Sequence, residues 1–279
     1  MYNIVGVGKS VKTLMESFGQ HKEYKTFYLD EDMFGDYSSM QEYEDKFPLS
    51  SVKKALKGIT KKSEVLYVME GGSHISGVSL RLLEILKKAS VTILYVVPDR
   101  DILTMEEREN ENLTFSALQD IVRTGDLDRI YLVDLGLVED YLGDVPLQNF
   151  DTALVQTISS TFAMLNYFDH TEPLKTNKKE MPVAVRISTF GLLDSEDKEH
   201  LFYNLENVKD KEYFYGVTKE DMKKSSLLRE IRSRTKSLAK DARCYYSIHS
   251  IESDNIQKYV RAHTDRCQIR NEKIDDATP

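Results

Sequence analysis

The sequence predicts an α/β protein: a parallel sheet covered by helices on both faces, a long central helix, and a second, smaller α/β domain. Three observations carry this reading. Through the first 134 residues, short apolar runs alternate strictly with amphipathic segments, the order that builds a parallel sheet with ligands at the carboxyl ends of its strands. From Gln148 to Phe168, apolar residues recur at helical spacing over a long span, which describes a largely buried helix. Asp169 to Pro182 then carries two prolines and a lysine-rich middle, the composition of a domain boundary.

Tyr2 to Val7 (YNIVGV) is a short apolar strand. Gly8-Lys9-Ser10 follows, and Val11, Leu14, Met15 and Phe18 mark the buried face of a helix over 10–19. A strand over 24–29 leads into Asp30 to Phe47, which is acidic and aromatic without clear periodicity and reads as a surface loop with a short helix. A helix over 49–58 precedes the most informative stretch, Glu64 to Gly77 (EVLYVMEGGSHISG). There a buried-strand pattern over 64–69 runs into a glycine and serine turn that opens a helix over 76–88. Strands over 91–97 and 129–134, with a helix over 113–123 between them, complete the first half.

Beyond the boundary the expected order is a strand over 183–190, a helix over 196–205, a strand over 212–217, a basic helix over 225–240, a strand over 243–251 and a helix over 255–262. The domains follow as 1–148 for ligand binding, 149–168 for the central helix, 169–182 for the linker, 183–263 for the smaller domain, and 264–279 for a polar tail expected to fray.

Composition narrows the function classes. The chain has 279 residues, a net charge of −8 and 30% charged residues, with a pI near 5.4. That balance argues against general nucleic-acid binding and against an anionic membrane surface. Cys244 and Cys267 lack zinc-site spacing, no apolar run approaches the ~20 residues of a membrane span, and the first residues read as a strand rather than a signal peptide. A soluble, cytoplasmic protein is expected. The six histidines are scattered, no HExxH or GxSxG motif is present, and no transition-metal or nucleophile-elbow chemistry is expected.

A glycine turn between a strand and a helix leaves backbone N–H groups and the positive end of a dipole free for an anion. Most α/β chains need such a turn only to reverse direction. Two of them in one sheet, at 8–10 and 71–77, can face one phosphorylated ligand.

The order of these features resembles the tubulin/FtsZ superfamily of nucleotide-dependent filament proteins, in a compact, divergent form of the plasmid or phage kind. Gly71, Gly72, Ser76 and Gly77 match the family's GGGTGSG signature loop, while Ser73, His74 and Ile75 depart from it. VTILYVVPDRD, TGDLDRIYLVD and the long helix from Asn149 follow in the family's order. The resemblance implies GTP, with Mg2+ carried by the nucleotide, held by Gly6, Gly8, Lys9 and Ser10 of the first turn and by Gly71, Gly72, Ser73, Ser76 and Gly77 of the second. Asn149 would meet the guanine base with Phe150 stacked beside it, unless Asn149 is simply a helix cap and Phe150 a core residue. Lys9 is either a point charge on phosphate or a solvated helix-start lysine.

Ile75 stands where the family has glycine, and would be strained if the position needs positive φ. Glu106, Glu107 and Arg108 lie where the family reaches the ribose, or are a solvated helix start. In the family an acidic residue after the central helix acts on the neighbouring subunit's nucleotide. Asp169 is the candidate here, with Glu172, although the family's NxDxxD or NxDxxE pattern is not legible. The resemblance therefore implies head-to-tail self-assembly with GTP hydrolysis at the subunit interface, or the same fold as a pseudo-GTPase scaffold. It leaves room for a protein adaptor and for the basic helix 225–240 to meet an acidic partner. A third reading is an unrelated α/β protein with another phosphorylated ligand.

Overall fold

The computed structural model describes residues 2–178, 185–238 and 242–270. Eleven strands join one sheet among these residues. The first half alternates as expected: β1 (Tyr2–Val7), α1 (Lys12–Gly19), β2 (Tyr24–Leu29), α2 (Met40–Asp45), α3 (Leu49–Ala55), β3 (Glu64–Glu70), α4 (Ser79–Leu86), β4 (Ser90–Val97), α5 (Met105–Thr124), β5 (Arg129–Asp134), α6 (Leu135–Leu142) and the central helix α7 (Leu147–Asp169). The second half holds β6 (Lys175–Thr176), β7 (Ile187–Leu193), β8 (Glu199–Leu201), β9 (Asp210–Val217), α8 (Leu227–Leu238), β10 (Arg243–Ser250) and β11 (Gln257–Thr264). Strand order is β2-β1-β3-β4-β5-β7-β11-β9-β10-β6, with β8 beside β7.

Strands β1 to β5 pair in parallel and are covered on both faces, so their sequences are continuous apolar runs rather than alternating ones. Val65, Tyr67 and Met69 face α3, α4 and α5, while Leu66 and Val68 face α1, α6 and α7. Helix α7 runs from the carboxyl end of this sheet to its amino end: Leu154 and Ile158 lie with Val96 in one pocket, and His170, just past its last turn, bonds Glu64 at the start of β3.

Helix α5 begins at Met105 rather than at 113, helix α6 was not expected, and two elements differ from expectation in type. Residues 196–205 form a turn and the short strand β8, because Phe202 is wholly buried against Phe190 and the amide of Phe202 bonds the carbonyl of Phe190. Residues 257–264 are strand β11, not a helix, and pair antiparallel with both β7 and β9. A central strand buried on both faces hides its alternation, and here Arg261 and His263 are buried charged or polar members of it. The polar tail is also ordered as far as the description reaches: Gln268 is buried, its amide donating to Gln119 Oε1 at 2.7 Å while Gln119 Nε2 donates back to its carbonyl at 3.1 Å. Parts of the expected strand 183–190 and linker 169–182, and residues 271–279, lie outside the described residues. The sheet runs unbroken from β5 to β7 through the pairs Ile130–Ile187 and Tyr131–Ser188.

Arg261 joins the end of α7 to the second half. Its Nη2 lies 2.6 Å from Asp169 Oδ2 and its Nη1 3.3 Å from Glu212 Oε2, with the guanidinium 5.1 Å from the Phe214 ring centroid and 5.7 Å from that of Tyr131. Phe168 stacks on Phe214 in the same layer. Burial alone would raise the Asp169 and Glu212 carboxyls; Arg261 and Lys178 beside Asp169, and the His263 ring with Arg261 and Lys178 beside Glu212, outweigh it and hold both below their ordinary values.

Both folded pKa values are depressed, so this stabilisation is complete above the unfolded carboxylate range near pH 4 and is lost as pH falls through the folded values. Arg261→Met leaves Asp169 and Glu212 with only Lys178 as a cation beside them and is expected to cost about 2–4 kcal/mol at pH 7, less than a fully buried pair because Asp169 is partly exposed. Denaturant unfolding should show that deficit shrinking as pH is lowered through 4.

Candidate functional site

The two glycine turns meet at the carboxyl end of the sheet. Gly8 has φ 88° and Gly72 φ 98°, backbone geometry that a side chain would strain. The site that a Cβ of Gly8 would occupy is 3.4 Å from both Ile75 Cγ2 and Glu31 Oε1. Gly6 lies one step back inside β1, against Met15 of α1.

Glu31 occupies the first turn. The Lys9 amide donates to Glu31 Oε1 at 2.8 Å and Lys9 Nζ lies 3.2 Å from Oε2. The carboxylate thus holds the backbone N–H and the cation that a phosphate oxygen would need there. Ser10 is exposed and lines one hollow with Glu70 at the end of β3. Burial raises Glu70 above its ordinary pKa, and the Ser10 side chain pulls the other way.

The second turn is closed by its own groups. Ser76 Oγ donates to the Ser73 carbonyl at 2.6 Å, and the Ser76 amide bonds the same oxygen. Ser73 itself is exposed. Gly71 is where the Tyr95 hydroxyl crosses, and Gly77 is where the backbone of Met40 crosses, so a side chain at either would collide. Both glycines serve internal packing. Ile75 lies within a 3-10 turn, His74–Val78, and is not among the residues at positive φ. The strain expected of it does not arise: its side chain is a core anchor with Phe34 and Tyr43, which fixes the 31–47 segment across the loop.

Beneath the loop, Glu111 is fully buried between Arg270 Nε at 3.2 Å and Arg100 Nε at 3.9 Å. Glu106 bonds His74 at 3.1 Å, and Glu107 forms a capping box with Thr104. Asn149 is exposed within the first turn of α7, with Pro146 at the cap position, so Asn149 is not the helix cap; Phe150 is half-buried. Asp169 lies at the opposite end of α7 and of the sheet from the glycine turns.

Two hollows flank the turns. One, of about 240 Å³, is lined by Glu31, Asp36, Tyr37, Ser73, His74 and Glu107; the other, of about 190 Å³, has Ser10 and Thr13 facing Glu70 and Asp151. Small-molecule sites usually span roughly 300–1,000 Å³. As arranged, the donor set does not fit a magnesium-bound nucleoside triphosphate: Glu31 holds the Lys9 amide and ammonium, and Glu70 and Asp151 line the neighbouring hollow. Among the described residues no cluster of three His, Cys, Asp or Glu side chains is placed to hold a metal ion, and no helix is long and apolar enough to cross a membrane.

Sequence reasoning did not single out Glu31, Glu70 or Arg261. An acid directly between a strand and a Gly-Gly pair was the readable signal for Glu70; Glu31 was one acid among several in the 30–47 stretch.

Glycine turns after β1 and β3, with a 23-residue helix crossing from that end of the sheet to the other, define a tubulin/FtsZ-type fold. The chain has that fold: it is similar to CetZ from Methanosaeta thermophila strain DSM 6194 with a TM-score of 0.67 and 11% identity, covering 95% of this chain and 87% of that one. It is likewise similar to TubZ of Bacillus thuringiensis serovar israelensis in a GTPγS-form protofilament (TM-score 0.68, 11% identity, 94% and 85% covered) and to an FtsZ dimer of M. jannaschii (0.64, 11%, 98% and 94%). No protein-family model matches the sequence and no curated protein matches it.

A raised carboxylate pKa means the folded state favours the protonated acid, so Glu70 costs stability as pH rises above its unfolded value. Glu70→Gln is expected to raise the melting temperature at pH 7.5, with a smaller effect at pH 4. Thermal unfolding at the two pH values checks this.

Proposed function

We propose that this chain is an assembly protein of the tubulin/FtsZ type, a pseudo-GTPase whose copies associate head to tail without depending on bound GTP. The observation that carries the reading is the Glu31 carboxylate on the Lys9 amide and ammonium, an internal anion in place of a phosphate. The titles of similar structures, protofilaments and a four-stranded filament of TubZ, support self-association. Two free cysteines suit a reducing compartment, and assembly in the cytoplasm is part of the proposal.

The second reading keeps GTP, with Mg2+ carried on it. One observation favours it: Asp169 lies at the amino end of the sheet, so head-to-tail stacking would bring it to the next copy's glycine turns, where an acid could orient water. In that case Gly8, Lys9, Ser10, Gly72 and Ser73 would hold phosphate, and Glu31 would have to release Lys9.

Thermal unfolding with GTP and magnesium, against GDP and ATP, separates the two. No shift and no phosphate release are expected. A GTP-selective rise of about 5 °C, the size expected near a hundredfold excess over Kd, or phosphate release, would favour the second reading.

A further inference from the structure

Beyond β11, residues 265–270 run along α5 as a strap without helix or strand. The strap starts near the amino end of β5, where Arg129 Nη1 donates to His263 Nδ1 at 2.7 Å, and ends just past the carboxyl end of β4, where Arg270 Nη2 donates to the Pro98 carbonyl at 3.2 Å. It lies on the face opposite α7: Cys267 packs with the cluster of Tyr67 and Leu118, whereas α7 packs with that of Leu66 and Val68. Two strap side chains reach inward. The Gln268 side chain accepts from the Glu206 amide at 2.7 Å while its backbone exchanges bonds with Gln119, and Arg270 reaches Glu111, the fully buried carboxylate of α5.

Glu111 is also the floor of the second glycine turn. A Cβ on Gly71 would come within 3.3 Å of Glu111 Cγ, and one on Gly72 within 3.8 Å of Glu111 Cβ. Farther along α5, Thr114 Oγ1 donates to Ser76 Oγ at 3.4 Å. Arg270 therefore holds the carboxylate on which the 71–72 backbone rests.

This hold is of a releasable kind. Apart from Cys267, no residue of 265–270 belongs to a hydrophobic cluster, and Ile269 is 73% exposed. Lifting the strap would expose little apolar surface, so the burial that keeps the sheet folded is hardly touched. The charges beneath it do not balance either. Arg100 and Arg270 bring two cations to one carboxylate; nearby, Asp99 and Asp101 are exposed and Glu107 is engaged in its capping box. Arg100 Nη2, Glu111 Oε2 and Arg270 Nε are buried without a hydrogen bond among the described residues. A buried polar cluster satisfied only in part is a weak lock.

We infer that residues 265–270 form a releasable strap: docked, Arg270 fixes Glu111 and with it the 71–77 turn; lifted, it frees that turn while the sheet stays folded. Strand β11 continues directly into the strap, so the segment that binds Asp169 and Glu212 through Arg261 at one end of the sheet also governs the glycine turn at the other. The strap acts on the turn whether or not the turn holds a nucleotide.

Hydrogen exchange read by mass spectrometry on the full-length protein tests this from both sides. Arg270→Gln is expected to speed exchange of the 72–78 amides roughly tenfold, with the amides of β1, β3, β9 and β11 as slow as in wild type. Coupling between two sites is reciprocal. Gly71→Ala, whose methyl group would press on the Tyr95 hydroxyl and Glu111 Cγ, is accordingly expected to speed exchange of the 267–270 amides. If Gly71→Ala does not fold, Glu111→Gln, which keeps the shape and removes the charge, takes its place with the same expected result. Unchanged 72–78 amides in Arg270→Gln would overturn the inference, as would unchanged strap amides in the turn-side variant. Faster exchange spread evenly over the sheet would also overturn it, because Arg270 would then be an ordinary stabilising contact.

Discussion

The relation between the two halves of the molecule depends on one buried cation. Arg261 sits in a central strand, sandwiched between Tyr131 of the first half and Phe214 of the second, and its guanidinium binds Asp169 at the end of the central helix and Glu212 on β9. Desolvating these groups is costly, and the bonds between them offset that cost only while all are present. The consequence is positional: the end of α7, the unbroken β5–β7 junction and the β9–β11 pair are held in one register. A cation–π layer above and below the guanidinium adds to the specificity of the seat.

That arrangement engages Asp169 with its own chain. Its side chain is 31% exposed and bonded to Arg261, so it acts first as a structural carboxylate. At the far end of the sheet, too, polar groups bond within the chain. Glu31 satisfies the Lys9 amide, Ser76 satisfies the Ser73 carbonyl, and Ile75 has become a core residue under the 31–47 segment. Both ends keep the shape of the fold while their polar groups bond inward. A shape kept with its polar groups redirected is what self-association without nucleotide would require.

Much of the fold was legible because its elements are periodic. Strands β1, β3, β4 and β5 read as covered apolar runs, and α7 as a long amphipathic helix, within one or two residues of their bounds. The second half was less legible. Residues 257–264 place Arg261 and His263 inside a sheet, and a buried arginine breaks the apolar pattern that marks a central strand. Residues 196–205 carry helix-compatible charges, yet Phe202 is placed by a long-range contact with Phe190 that no local pattern encodes. At the site, glycines were read as phosphate-facing, whereas Gly71 and Gly77 admit the Tyr95 hydroxyl and the Met40 backbone. Close approach to a ligand and close approach to another part of the chain demand the same residue. The partner of Glu31, Lys9, is set by tertiary packing rather than by any local pattern.

The most direct measurement of the central claim is electron cryomicroscopy of the protein assembled without nucleotide. The account predicts polar filaments in which the carboxyl end of each copy meets the amino end of the next, with the Glu31 carboxylate still on Lys9. Filaments that form only with GTP, with nucleotide density between the 8–10 and 71–77 turns, or contacts joining like faces, would contradict it.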